Sequence, residues 1–202
     1  MKLNSHLTKA NSSINRSEIF SSVKRIVVKV GSSSITKPDF GVDVSKVNSL
    51  VDELASVKNS GVEVILVSSG AISTGIGRLN MKSRGKDIPS LQAAAAVGQN
   101  ILMHAYESRF REHDMPVGQI LLTQDDFSDR KRYTNASNTV LKLLRFGVVP
   151  IVNENDTISV DEIKIGDNDT LSAFVTNLAE ANLLLILSDM DGFYSADPRT
   201  NP

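Results

Sequence analysis

Hydrophobic residues along the chain fall into two alternating patterns. Short, nearly continuous apolar runs predict buried strands, and longer segments with apolar residues every three or four positions predict helices with one buried face. The strand-like runs occupy residues 26–29, 62–67, 117–123, 148–152 and 181–187. The helical patterns occupy residues 44–57, 89–113, 133–146 and a segment that begins near 170. Such alternation is typical of an α/β protein with a mainly parallel sheet and helices on both faces.

Two further segments depart from this alternation. Apolar and polar side chains alternate over residues 158–165, which predicts a short hairpin at the sheet edge. Residues 1–20 are rich in Ser and Asn and lack the apolar core of a secretory signal, so we expect a disordered N-terminal extension. The remaining residues, 21–202, are numerous enough for one substantial domain.

The first strand-like run contains a lysine near its end. Lys29 follows three apolar residues, and Gly31 and three serines come soon after it. Because burying an unpaired ammonium group costs several kcal/mol, Lys29 is expected to face an anion. Gly31 would let the backbone approach such a ligand closely, and the serines would add hydrogen-bond donors. The alternative is a lysine on an edge strand, with its stem packed and its charged head in water.

The second strand-like run ends in a similar way, in Ser68, Ser69 and Gly70. Since ligands of open α/β sheets bind outside the carboxyl ends of the strands, the two ends predict one shared crevice. The glycine-rich segment 70–77 is not a Walker-type loop, because no Lys-Ser or Lys-Thr pair follows Gly75. The dinucleotide fingerprint G-x-G-x-x-G does not follow the first strand either. An ordinary strand-to-helix turn would also explain these glycines.

Two polar clusters follow later in the chain, at residues 153–156 and 166–169. Side chains of this kind form turns and helix N-caps by default, but they can equally hold an ammonium group. The carboxylates of Asp156, Asp167 and Asp169 would repel one another unless a cation lies between them. Lys29, Mg²⁺ or a substrate amine could be that cation.

The composition narrows the possible partners. The chain has 202 residues, of which 41% are hydrophobic, and its 22 basic and 23 acidic residues give a net charge of −1. No global field therefore attracts it to nucleic acid or to an anionic membrane, so we expect no such partner. The sequence contains no cysteine, which excludes disulfides, thiolate metal sites and cysteine nucleophiles and suits a cytoplasmic location.

Taken together and in order, five motifs resemble those of the amino acid kinase family. They are KVGSS at 29–33, VSSGAI at 67–72, VNEND at 152–156, GDND at 166–169 and SDMDGFYSADPR at 188–199. The resemblance extends from about residue 24 to the end of the sequence, and it implies a three-layer α/β/α sandwich. The NEND and GDND pair favours the branch that phosphorylates glutamate over those that act on acetylglutamate, aspartate or uridylate.

The resemblance implies an activity. Members of this branch transfer the γ-phosphoryl group of ATP, with Mg²⁺, to the side-chain carboxylate of L-glutamate, giving glutamyl 5-phosphate for proline biosynthesis. By resemblance, Lys29 holds the phosphoryl oxygens, Gly31 and its neighbouring amides help to neutralise their charge, and Asp169 orients the catalytic lysines. This transfer needs little covalent help from the protein and depends mainly on positioning and positive charge.

The same resemblance assigns the binding residues. Ser69, Gly70, Asp156 and Asn168 match the glutamate-binding positions, with Asp156 suited to the α-ammonium group. Ser188 and Asp189 match the first nucleotide-contacting pair, and no residue is assigned to a metal. The family also implies a homo-oligomer and possible feedback inhibition by proline.

Relative to the family pattern, the sequence is expected to lack the C-terminal part of the kinase domain, which completes the nucleotide site. The alternative function is therefore a non-catalytic module that binds glutamate or an effector. A nicotinamide-dependent oxidoreductase is disfavoured, because the glycine fingerprint of that class is missing.

Overall fold

A computed structural model describes residues 20–83, 85, 87–158 and 167–188. The strands are β1 (Arg25–Val30), β2 (Glu63–Ser68), β3 (Val117–Leu122), β4 (Val149–Glu154) and β5 (Leu183–Leu187). The helices are α1 (Val44–Asn59), α2 (Ala71–Arg78), α3 (Ile88–Arg111), α4 (Gln124–Ser128), α5 (Arg130–Arg145) and α6 (Asp167–Leu178). The expected N-terminal extension and the expected hairpin fall almost entirely outside the described residues.

All five strands form one parallel sheet in the order β3-β4-β2-β1-β5. The register places Val27 of β1 opposite Ile65 of β2 on one side and opposite Leu184 of β5 on the other. β1 is thus an interior strand of the sheet. The carboxyl ends of β4, β2, β1 and β5 therefore lie next to one another along one edge.

Helices cover both faces of this sheet. On one face, alternate residues of β1 and β2 pack with α1 and α3, around the buried side chains of Val51, Tyr106 and Phe110. On the other face, Val27 and Ile65 pack with α5 and α6. The predicted three-layer α/β/α architecture with a parallel sheet is confirmed.

Aspartates fix where several helices begin. The side chains of Asp43, Asp87 and Asp129 each accept a hydrogen bond from the backbone N–H three residues later, at the start of α1, α3 and α5. Such N-caps satisfy amides that have no partner inside the helix. At Asp87 the hydrogen bonds from Ser90 lower the pKa of the carboxyl group.

Helix α2 was not predicted from the sequence as a separate element. Its glycines, Gly75 and Gly77, are poor helix formers, so the local pattern favoured a turn. The helix is instead stabilised by its packing against α3. A Cβ atom at Gly75 would lie 1.8 Å from the carbonyl oxygen of Ala94, and one at Gly98 would lie 1.8 Å from that of Ala71. The two backbones approach so closely because both positions lack a side chain.

Candidate active site

A cleft of about 360 Å³ opens at the carboxyl ends of the central strands. One part of its lining is polar and comprises Ser32, Ser69, Ser73, Asn153, Glu154, Asp156 and Asn168. The other part is mainly apolar and comprises Phe40, Gly70, Ala71, Ile72 and Ile76. A cleft lined by both polar and apolar residues suits a small ligand that has both charged groups and a hydrocarbon chain.

Lys29 lies at the end of β1 with only 5% of its surface exposed. Its Nζ atom forms an ion pair with Oδ1 of Asp169, in the first turn of α6, at 2.6 Å. The carboxylate is the anion that a buried ammonium group requires, and the alternative of an edge-strand lysine with its head in water is wrong. Because the Asp169 side chain is 45% exposed, solvent screens the charge of the pair on the Asp169 side, and a ligand can approach the pair from that side.

Gly31 follows this lysine in an extended conformation, with φ of −78°. A Cβ atom at this position would lie 3.9 Å from Nζ of Lys29, which is ordinary contact rather than a clash. Glycine is therefore not required by the backbone here. Its effect is to leave the space beside the Lys29 ammonium group unfilled.

Ser69 and Gly70 form the turn between β2 and α2. Gly70 has φ of 98°, a left-handed conformation that favours glycine, and a Cβ atom there would press within 3.3 Å of Ile35 and Thr36. The backbone N–H of Ser69 donates to the carbonyl of Val30. The ends of β1 and β2 are thereby joined directly, as the shared crevice predicted from the sequence requires.

The polar cluster after β4 divides into two roles. Asn155 belongs to a turn, since its side-chain oxygen accepts a hydrogen bond from the Thr157 hydroxyl and its carbonyl accepts one from the N–H of Ile158. Asn153, Glu154 and Asp156 line the cleft. The turn interpretation therefore applies to Asn155, and the binding interpretation stays a prediction for the three residues that line the cleft.

Asn168 connects the cleft to the interior. Its Nδ2 atom lies 3.0 Å from the carbonyl oxygen of Ser68, 2.6 Å from Oγ of Ser69 and 3.0 Å from Oδ1 of Asn153, so its two hydrogens are shared among three acceptors. Asn153 in turn donates to Oε1 of Gln99 at 2.9 Å. We call Gln99, Asn153 and Asn168 the amide chain.

No motif or spacing in the sequence predicts Gln99 or Phe40 as site residues. Gln99 lies on α3, far along the chain from every motif, and the one available signal was a polar residue on the otherwise apolar face of a helix. Phe40 belongs to the loop between β1 and α1, which is held on α2 by a hydrogen bond from the N–H of Gly41 to the carbonyl of Ser73. Loop packing of this kind leaves no periodic signal in a sequence.

Of the two residues assigned to the nucleotide, only Ser188 falls within the described part of the chain. Ser188 follows β5 directly and is exposed, and the register of Val30 with Leu187 places Ser188 at the same sheet edge as Gly31. Asp189 lies outside the described residues. The structure thus brings Ser69, Gly70, Asp156 and Asn168 together around one cleft, and it places the Lys29–Asp169 pair and Ser188 along the same edge.

The described part of the chain contains neither a cluster of metal ligands nor a membrane-spanning helix. Across residues 20–83, 85, 87–158 and 167–188, no three His, Cys, Asp or Glu side chains come together in a way that could hold a metal ion. Within the same residues, no helix combines the length and the apolar character needed to span a bilayer.

Ligand sites at the carboxyl ends of the strands are common to enzymes built on an open parallel sheet. Residues 24–202 match the amino acid kinase family, and the chain belongs to that family. It is 54% identical over 185 residues to glutamate 5-kinase of Carboxydothermus hydrogenoformans and 56% identical over 187 residues to glutamate 5-kinase of Geobacter sulfurreducens. It is also 53% identical over 186 residues to glutamate 5-kinase of Clostridium acetobutylicum.

These alignments differ in how much of each protein they cover. They include 91%, 93% and 92% of this chain, but 50%, 50% and 70% of the respective relatives. The chain therefore spans about half the length of the first two relatives.

Proposed function

We propose that the protein catalyses the ATP-dependent phosphorylation of the side-chain carboxylate of L-glutamate to glutamyl 5-phosphate, the first step of proline biosynthesis. The observation that carries this proposal is the ion pair between the buried Lys29 and the partly exposed Asp169, on the sheet edge where the cleft opens. A positive charge that is fixed before the reaction stabilises the charge that develops on a transferring phosphoryl group. The names of the relatives support the same reaction.

In this proposal, Lys29 contacts the oxygens of the transferred group, and Asp169 keeps the ammonium group in place. The open space beside Gly31 lets phosphoryl oxygens reach Lys29 and the backbone amides that follow it. ATP supplies the γ-phosphoryl group, and Mg²⁺ would be held chiefly by the phosphates, since no protein ligand for it is assigned. Ser188 and Asp189 would contact the nucleotide.

The cleft would hold glutamate. Asp156 would pair with the α-ammonium group, while Asn168 and the Ser69–Gly70 turn would contact the polar groups around it. The apolar lining residues Phe40, Ile72 and Ile76 suit the two methylene groups of the glutamate side chain. A homo-oligomer and inhibition by proline are further proposals that rest on the family resemblance alone.

The proposal is tested in two stages. Isothermal titration should show that the 202-residue chain binds L-glutamate more tightly than L-aspartate or an ATP analogue, because all four residues proposed to bind glutamate line the described cleft. Turnover is then measured as glutamate-dependent ADP formation. It is compared between the chain and a chimera in which the C-terminal half of the Geobacter sulfurreducens relative follows residue 202.

The chimera should turn over, and Lys29→Met should lower its turnover by a factor of at least about 100 while changing glutamate affinity little. If Lys29→Met leaves turnover intact but lowers thermal stability, the lysine is structural and the proposal is wrong. If the chain binds glutamate but neither protein turns over, the alternative of a non-catalytic glutamate-binding module is supported instead.

A further inference from the structure

We propose that Gln99 is a positioning residue that fixes the direction of the amide chain, that is, which end of each side-chain amide donates and which accepts. Asn168 thereby presents its side-chain oxygen, rather than its nitrogen, to the substrate. The inference rests on the proposed function, in which Asn168 contacts glutamate. It adds a residue from α3, outside every motif, and it names the group recognised, namely the α-ammonium of an amino acid.

The direction of the amide chain begins at a backbone carbonyl. Nδ2 of Asn168 lies 3.0 Å from the carbonyl oxygen of Ser68, and a carbonyl oxygen can only accept a hydrogen bond. The same nitrogen lies within hydrogen-bond distance of Oδ1 of Asn153 and Oγ of Ser69, and these acceptors share its two hydrogens with the Ser68 carbonyl, so the amide nitrogen of Asn168 is turned towards the protein. The amide oxygen is the atom that Asn168 has to offer to a ligand in the cleft, and it accepts hydrogen bonds.

Asn153 links the orientation of the Asn168 amide to that of Gln99, because it is hydrogen bonded to both. Since its Oδ1 atom accepts from Asn168, its Nδ2 atom must donate elsewhere, and Oε1 of Gln99 accepts at 2.9 Å. Asn153 is 3% exposed and Gln99 is 9% exposed, so bulk water has little access to this bond. Without an acceptor at position 99, the Asn153 amide would gain by rotating, which would set its NH₂ group against the NH₂ group of Asn168.

The backbone of Gln99 is held where this acceptor is needed. Its neighbour Gly98 lies against α2, at a distance where a Cβ atom would be 1.8 Å from the carbonyl oxygen of Ala71. Ala71 lines the cleft itself. The turn of α3 that carries Gln99 is therefore anchored, through Gly98, to the helix that begins at the cleft, and a positioned site needs such rigid support.

The chemistry recognised follows from the outward-facing atoms. An oxygen acceptor on Asn168 together with the carboxylates of Glu154 and Asp156 on the cleft lining favours a ligand group with several N–H donors and a positive charge. An α-ammonium group meets this description. Rotation of the Asn168 amide would replace one acceptor by a donor and would oppose the ammonium group.

The experiment measures the Kd of L-glutamate for the 202-residue chain and three variants by isothermal titration. Gln99→Met keeps the length of the side chain but removes the acceptor, and it should weaken binding by about tenfold, the usual size of one lost polar interaction. Gln99→Glu keeps an acceptor for Asn153 and should stay within about threefold of the wild type.

Tyr106→Phe is the matched control. Tyr106 is also buried on α3 and hydrogen bonds to Oγ of Ser68 at 2.9 Å, but it is not part of the amide chain. Its loss should lower thermal stability and leave the Kd of glutamate unchanged. A similar weakening by Tyr106→Phe would show that any disturbance of α3 has this effect, and it would overturn the inference.

A double-mutant cycle tests whether Gln99 acts through Asn168. In an Asn168→Ala background, Gln99→Met should cause no further weakening. The inference would be overturned if the effects of the two substitutions on the binding free energy were fully additive, or if Gln99→Met alone left the Kd unchanged. In either case, binding of glutamate by the wild-type chain would leave the proposed function standing. If the wild-type chain does not bind glutamate at all, the proposed function and this inference both fail.

A measurement on the wild-type chain does not depend on whether the variants fold. In ¹H–¹⁵N spectra, the side-chain NH₂ signals of Asn168 should exchange slowly with solvent and move little when glutamate is added, because that group faces the protein. Large shifts of these signals on binding would mean that the nitrogen faces the ligand, and they would overturn the inference.

Discussion

The substitution Gly75→Ala distinguishes the effect of helix propensity from that of packing, because the two predict changes of opposite sign in the free energy of unfolding. In a helix, replacing glycine by alanine ordinarily stabilises by about 1 kcal/mol. Here the new Cβ atom would lie 1.8 Å from the carbonyl oxygen of Ala94, whereas a carbon and an oxygen make contact at about 3.3 Å. α2 and α3 would have to separate by roughly 1.5 Å, because the obstructing atoms belong to the backbone of Ala94 and cannot move aside as a side chain could.

The separation has a cost that can be approximated. A gap of 1 Å already forfeits up to about half of the dispersion energy between the groups that line it. Since α2 also contains the buried residues Ala71, Thr74 and Ile76, overpacking and lost contacts should exceed the propensity gain and leave a net destabilisation of about 2–4 kcal/mol. For a protein of this size, that lowers Tm by roughly 5–15 °C.

The assay is thermal and urea unfolding followed by circular dichroism. Gly61→Ala is the control, since Gly61 has φ of 94° but a Cβ atom there would meet nothing within 4 Å, so only a backbone cost of about 1 kcal/mol applies. If Gly75→Ala is as stable as the wild type, or more stable, the close approach of the two helices is wrong. A loss no larger than that of Gly61→Ala would also contradict the packing argument.

Two further predictions concern the cleft and the surface. Asp156→Ala should raise the KM for glutamate in the chimera far more than the KM for ATP, because it removes the proposed counter-charge of the α-ammonium group. Equal rises in both KM values would place Asp156 outside the substrate site. On the surface, hydrogen bonds from Arg109 and then from His113 lower the pKa of Asp52 from 3.8 to about 2. This carboxylate therefore stabilises the fold above pH 3.8 and loses that effect as the pH falls towards 2. Asp52→Asn should flatten the dependence of Tm on pH in this range, and an unchanged profile would contradict the assignment.

The strands and most helices could be predicted because their pattern is local. All five apolar runs became strands, since a strand buried on both faces needs a continuous apolar stretch. α2 could not be predicted, because its stability comes from contact with α3 rather than from its own residues. The need for glycine at positions 75 and 98 can be recognised only when the contact between the two helices is known.

Prediction of the candidate site had the same limit. Lys29, Ser69 and Asp156 stand at strand ends, where a parallel sheet collects polar groups, so their placement along one edge followed from the pattern. Gln99 reaches the site from the middle of a long helix, and Phe40 reaches it from a loop. Their contribution depends on distances across the fold, which no spacing along the chain records.

The hydrogen bonds of Asn168 also have a consequence for folding kinetics. Its bonds to Ser68 and Ser69 join residues that are 100 and 99 positions apart, and the bond from Lys24 to Asn182 closes a separation of 158. Contacts between such distant residues form late, since the entropy of closing long loops must be overcome first. The cleft is then completed only near the end of folding, so glutamate should slow unfolding of the finished domain and leave the rate of folding almost unchanged.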